Sequence, residues 1–237
     1  MIKLSPRLQI VYDMIPHCQT VADVGTDHGY LPIALLENKV ASRAIAMDIN
    51  AGPLDRAKDN IKAAGFESQV DLRLSNGLEK LSPGEAEVIS ICGMGGTLIG
   101  KIFQAGEPVA KSADCIVIEP QSDYYSLRRL LMEMGFKIID ENLTCEENKI
   151  YPIIKLKYEA DESKRDAYTD EQLEYGPKII ERAPELLYRL LDKNQKEYSS
   201  ILASLESGAS PKSEAIEARC QELRHQLQMI EQVRNLL

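Results

Sequence analysis

Along residues 1–158, short apolar runs alternate with segments of helical spacing. QTVADVG, ASRAIAMDI, VDLRLS, AEVISICG and ADCIVIEP read as strands. YLPIALLEN, AGPLDRAKDNIKAAG, GTLIGKIFQAG and SDYYSLRRLLMEMG read as helices between or after them. In AGPLDRAKDNIKAAG, Leu54, Ala57, Ile61 and Ala64 share one face, and Gly65 closes the helix. An opening helix is predicted from Ser5 to Met14, with Ser5 as its cap and Pro6 in its first turn. AEVISICG is nearly all apolar, so it is expected to be buried on both faces. After Gly135 the rhythm changes: FKIIDENLTCEENKIYPIIKLKY gives two strands joined by a polar turn, an antiparallel hairpin. The expectation is an α/β fold, a mixed seven-stranded sheet with helices on both faces.

From about residue 169 the strands disappear. Leu187, Leu191, Asn194, Tyr198, Ile201 and Leu205 are spaced 4-3-4-3-4. After ESGASPKS, the series Ile216, Cys220, Leu223, Leu227, Ile230, Arg234 and Leu237 repeats that rhythm. Two heptad seams joined by a Gly/Ser/Pro turn predict an antiparallel coiled-coil hairpin, with Asn194 setting its register. The expected domains are therefore 1–160 and 161–237. Lys178, Arg182, Arg189, Lys193 and Lys196 are expected as a basic stripe on the outer face of the hairpin's first helix. Such a stripe suits phosphate contacts; a solvated face with ion pairs to Glu181 and Glu185 is the plainer reading.

Charge narrows the partners. The chain carries a net −9, and neither residues 1–158 nor 159–237 are basic as a whole. A nucleic acid would have to be held by local patches. The five scattered cysteines include no CxxC, so reduced thiols in a cytoplasmic protein are expected, without a metal site. No run is long and apolar enough to span a bilayer, and MIKLSPRLQ lacks the apolar core of a signal peptide.

In a sheet of this kind ligands sit beyond the carboxyl ends of the strands, where the strand order reverses. Five segments occupy such ends: DVGTDHG, DIN, SNG, GMGG and EPQSD. Gly25 allows a sharp turn after the first strand, and Gly29 allows close backbone approach. A dinucleotide fingerprint would place glycine where Asp27 stands, and Asp27 would repel a pyrophosphate. A cofactor with a cationic head and no phosphate fits Asp23 and Asp27 better, and S-adenosylmethionine is one. Asp48 ends the second strand, where a carboxylate can accept from both ribose hydroxyls. Asn76 and Gly77 offer an amide to an adenine edge, and GMGG offers backbone beside a methyl group.

Each segment has a plainer role as a cap, a turn or a packing glycine; their joint occurrence in this order favours the cofactor. Asp27-His28 also invites a hydrolytic triad, but no GxSxG accompanies it, and Cys92 lies in a strand expected to be buried.

At these residues the chain resembles the bacterial tRNA (adenine-N1)-methyltransferase family that acts on the adenine at tRNA position 22. The stretches that carry the resemblance are DVGTDHGYLPIAL, AMDINAGPLDRAKDNI, RLSNGLEKL, ICGMGGTLI and NKIYPIIKL. It implies a class I methyltransferase Rossmann-like domain that binds S-adenosyl-L-methionine, with a helical hairpin that helps hold tRNA. Carried across by motif, Asp23, Gly25, Asp27 and Gly29 line the methionine side, Asp48 the ribose, and Asn76 and Gly77 the adenine. Gly93, Met94 and Gly95 form the floor near the methyl group, and Thr26 and Ile49 complete the cofactor set. Asp27, His28, Tyr30 and Met94 are the candidates for orienting the target base. Arg7, Arg128 and Arg129 join the basic stripe as tRNA contacts. The chain departs from the family pattern in SNG, which has no acid before the glycine, and at Glu119, where an amide is expected. A monomer is expected, with pairing through the hairpin as the alternative. Action on another RNA or a small molecule, or RNA binding without catalysis, are the competing functions.

Overall fold

The computed structural model describes residues 2–207 and 213–237. The chain divides into two units, Met1–Ala167 and Tyr168–Leu237.

The first unit opens with α1 (Pro6–Met14), capped by Ser5, whose hydroxyl accepts from the Leu8 N–H. Then come β1 (Cys18–Val24), α2 (Tyr30–Glu37), β2 (Ala41–Asp48), α3 (Ala51–Ala64) and β3 (Val70–Leu74). β4 (Val88–Met94), α4 (Gly96–Ala105), α5 (Glu107–Ser112), β5 (Cys115–Pro120) and α6 (Tyr124–Glu133) follow. β6 (Phe136–Glu146) and β7 (Lys149–Tyr158) form the antiparallel hairpin. Its two-residue turn, Glu147–Asn148, has positive φ at both positions. α5 has no counterpart in the sequence reading: its six residues are too few to establish a helical period.

The seven strands form one sheet in the order β3-β2-β1-β4-β5-β7-β6. β1 to β5 pair in parallel, and β7 runs antiparallel to both β5 and β6. The order reverses between β1 and β4, and that seam is the switch point. Val21, Val88, Cys115, Val117 and Ile153 bury one face of the sheet against Val11 and Met14 of α1, Ile15 just after it, and Leu31 and Leu35 of α2. On the other face Phe103 of α4 meets Phe136 of β6 edge to face, with ring centroids 5.1 Å apart.

Arg128 is the main correction in this unit. Expected as a phosphate contact, it is 2% exposed, and its Nε donates to Glu141 Oε1 of β6 at 2.9 Å. The apolar stripe of α6, Leu127 and Leu131, turns Arg128 inward with it. Arg129, the next residue, points to solvent and pairs with Glu133.

The second unit is helical: α7 (Asp170–Tyr175), α8 (Pro177–Arg182), α9 (Glu185–Glu206) and α10 (Glu214–Leu236). Thr169 and Gln172 form a capping box at the start of α7. Arg234 pairs with Asp192 and Arg224 with Glu206, so α9 and α10 run antiparallel. Leu187, Leu191, Cys220, Leu223 and Ile230 are buried as the heptads require. The turn expected over ESGASPKS falls largely on residues 208–212, outside the described residues.

Three details of this unit differ from expectation. The basic stripe is not on one helix: Lys178 and Arg182 belong to α8, and Arg189, Lys193 and Lys196 to α9. Ala183 adopts a left-handed conformation, and Pro184, which has no N–H to continue the ladder, caps the next helix. Asn194 is engaged by a third helix, sharing a side-chain hydrogen bond with the buried Tyr175 of α7. Met229 and Val233 are buried outside the heptad series, because α10 packs against α7 as well as α9.

Among the described residues no helix is long and apolar enough to cross a membrane.

Candidate functional site

A cavity of about 340 Å³ opens at the switch point. Its wall draws on α1, the β1–α2 turn and the ends of β4 and β5. Of the residues singled out from sequence, Arg7, Asp23, Gly25, Asp27, His28, Tyr30 and Gly93 line it.

Asp23 is the penultimate residue of β1 and is only 7% exposed. It accepts from the Ser90 hydroxyl of β4 at 2.7 Å, which ties the two strands together across the switch point. Burial raises its carboxyl above the ordinary range; the Ser90 and Thr26 hydroxyls oppose this, and Asp48 adds to it. The Thr26 hydroxyl is buried close by but lies outside hydrogen-bonding geometry. Ser90 was not singled out from the sequence, although a lone hydroxyl in the apolar run AEVISICG was a usable signal.

The turn after β1 is held in an unusual backbone. Gly25 has φ +79°, and a Cβ there would fall on the Met94 thioether methyl. His28, a non-glycine residue, has φ +64°, a conformation that costs about 1–2 kcal/mol. Neighbouring groups secure it: Asn60 Nδ2 of α3 donates to the His28 carbonyl at 2.9 Å. Arg56, one turn earlier on α3, pairs with Asp27 at 2.7 Å. The result is a parallel stack of the His28 and Tyr30 rings, 5.2 Å between centroids and 9° apart in plane. Asp27 also lies 3.5 Å from His28 Nε2.

The opposite wall contains a residue whose role the sequence left open. Glu119, the penultimate residue of β5, is 2% exposed. Its Oε2 accepts from the Gly93 N–H at 2.7 Å, where β4 is irregular between Cys92 and Met94. Its Oε1 faces Arg7 Nη1 at 3.4 Å. Arg7 is in turn bonded to Glu146 and lies over the Tyr151 ring. It is thus tied to carboxylates of the protein itself. Burial raises the Glu119 carboxyl, opposed by the Gly93 N–H and by Arg7. Cys92 also lines the cavity; burial, with Asp23 and Glu119 nearby, pushes its thiol well above the ordinary value.

The remaining predicted residues lie further along the rim, on the β2–β3 side. Asp48 Oδ1 accepts from the Asn50 N–H at 2.7 Å, and Ile49 beside it is 61% exposed. Asn76 donates to Glu79 at 2.9 Å and lines a second cavity of about 200 Å³ with Leu98 and Ile102. Gly77 packs on Ile102. Gly95 caps α4, and Gly96 so closely approaches the Ser122 carbonyl that a Cβ would lie 2.5 Å from its oxygen.

Comparison with known proteins bears on what such a rim does. The family described as "Methyltransferase domain" matches residues 4–154. The tRNA (adenine(22)-N(1))-methyltransferase of Bacillus subtilis (strain 168) is 37% identical over 153 residues, 65% of this chain and 64% of the relative. The matched stretch thus spans just under two thirds of that relative's length. Among solved structures, the B. subtilis M1A22 tRNA methyltransferase TrmK superposes with a TM-score of 0.88 at 28% identity, covering 98% of this chain and 99% of that one. M. capricolum TrmK in complex with S-adenosyl-homocysteine superposes at 0.83 with 26% identity, covering 98% of each.

Proposed function

Because the chain belongs to the methyltransferase-domain family, we propose that it transfers a methyl group from S-adenosyl-L-methionine to N1 of adenine 22 in tRNA. The observation that carries this reading is the switch-point cavity, whose β1 side is lined by the carboxylates of Asp23 and Asp27. Such a lining suits a cationic, phosphate-free cofactor. The likeness to tRNA (adenine(22)-N(1))-methyltransferases supplies the substrate.

Bound at this rim, S-adenosylmethionine supplies a methyl group made electrophilic by a sulfonium. Asp23, Gly25, Thr26, Asp27 and Gly29 take the methionine side, and Asp48 with Ile49 takes the ribose. Asn76 and Gly77 take the adenine ring, and Gly93, Met94 and Gly95 form the floor. Neutral adenine already presents a lone pair at N1, so the protein need not remove a proton first. Its contribution is positioning, for which effective molarities of ~10⁵–10⁸ M are attainable. N1 is occupied in a Watson–Crick pair, so the target base must be unpaired or flipped. The stacked His28–Tyr30 pair, fixed by Asn60 and Arg56, offers it a flat platform. Exposed Arg129, with Lys178, Arg182, Arg189, Lys193 and Lys196 of the helical unit, supplies phosphate contacts. The protein works on tRNA as a monomer in the cytoplasm.

The test is incubation of unmodified tRNA with labelled S-adenosylmethionine, followed by nucleoside analysis. N1-methyladenosine at position 22 is expected. Label in another nucleoside, or none in RNA, overturns the reading.

A further inference from the structure

Glu119 is a buried carboxylate on the wall of the cavity, one strand beyond Ser90 and two beyond Asp23 in the sheet order. The other two carboxylates of the lining belong to the methionine side of the proposed cofactor site: Asp23, held by Ser90 of β4, and Asp27, held by Arg56 of α3. Glu119 is aimed by two groups, the Gly93 N–H on Oε2 at 2.7 Å and Arg7 on Oε1 at 3.4 Å. The second contact is long, and an ionised carboxylate has about four acceptor sites. Arg7 does not cancel the charge by itself, because it also serves Glu146. Glu119 is therefore an oriented acceptor with capacity to spare, fixed before any substrate arrives.

The proposed reaction creates a need for such a group. The N1 lone pair of adenine forms the new N–C bond as the C–S bond breaks, and the electron pair of that bond returns to sulfur. Positive charge passes from sulfur to the amidine of N1, C6 and N6, and the N6 hydrogens become stronger donors. A carboxylate placed on those hydrogens binds the transition state more tightly than the ground state.

Resting on the methyl-transfer reading above, we propose that Glu119 accepts a hydrogen bond from the exocyclic amine of the target adenine. It is then both a catalytic residue and a determinant of base choice. Guanine presents an oxygen at the same edge, an acceptor facing an acceptor, and is repelled.

The test compares two RNAs and two proteins. One RNA carries adenine at the methylated position, and the other carries purine, which lacks the amine. Purine has a less reactive N1, and that penalty falls equally on both proteins. In the wild type, removal of the amine carries a further loss of on the order of 10-fold in kcat relative to Glu119→Gln. Glu119→Gln itself slows adenine methylation by about 10- to 100-fold. Its affinity for S-adenosylmethionine by calorimetry stays within about twofold, which also reports that it is folded. In the presence of S-adenosylhomocysteine, the wild type binds the adenine RNA more tightly than the purine RNA, and the variant does so less. An equal purine penalty in both proteins, with adenine N1 still methylated, overturns the role of Glu119 and leaves the methyl-transfer reading standing. Absence of N1 methylation by the wild type overturns that reading, and this inference with it. Should the Gln variant not fold, Glu119→Asp, which withdraws the carboxylate by one methylene, carries the same comparison.

Discussion

On the β1–β4–β5 side of the sheet rim, polar groups are tied across elements; on the β2–β3 side they are tied to near neighbours in sequence. Asp23 reaches Ser90, Glu119 reaches the Gly93 N–H, and the His28 carbonyl receives Asn60. Asp48, by contrast, bonds the amide two residues on, and Asn76 the side chain three residues on. Ile49 and Leu74 stand 61% and 58% exposed there. The first side is assembled by the fold and costs little to organise when a ligand arrives. The second gains its burial only by covering one. On the function proposed above, chemistry belongs on the pre-built side, and general grip on the open one.

Substitutions can break this contrast. Asp23→Ala should have the largest effect, since it removes a buried charge that the fold has already oriented. S-adenosylmethionine affinity should fall on the order of 100-fold, as for a charge-assisted hydrogen bond worth about 1.5–3 kcal/mol. Calorimetry showing less than a threefold change would mean that the pre-built side does not hold the cofactor. Asp48→Ala, on the open side, should cost about 10-fold in the same measurement. Unchanged affinity there would remove Asp48 from the ribose. Asn76→Ala should cost no more than about threefold, a neutral hydrogen bond in a solvated setting.

The smallest expected effect is one of pH. Burial holds the Asp23 carboxyl above its ordinary value. Its ionisation therefore costs the unliganded fold stability as pH rises, and that cost disappears as pH falls toward the unfolded value of about 3.9. Asp23→Asn should melt a few degrees above wild type at about pH 7, and the advantage should vanish near pH 4. An advantage that does not vary with pH would show that Asp23 is not the group paying for its burial.

The open side was largely legible in the sequence because its signals are local: an acid ending a strand, an amide before a glycine. The β1 turn was legible for the same reason, and so were all seven strands. The partners that organise the enclosed side were not. Ser90 and Glu119 act through residues 67 and 26 positions away, and no local period encodes such distances. Arg128 misled because consecutive helical residues differ by about 100° in direction. Its partner Glu141 lies on another element, and only that pairing makes burial tolerable. In the helical unit the heptads gave the long seams, but Pro184 was read through as if α8 and α9 were one helix.

Helix α3 sets a phase relation for the whole rim. Asp48 and Asn50 precede its first turn, and Arg56 and Asn60 leave it four residues apart, on the same side. A single residue inserted between Asn50 and Arg56 would rotate both side chains by about 100°. Asp27 and the His28 carbonyl would lose their partners together, while Asp48 stayed in place. The spacing along α3 is thus a ruler: it keeps the Asp48 end and the ring-stack end of the rim in step, and its length is as much a part of the proposed site as any side chain on it.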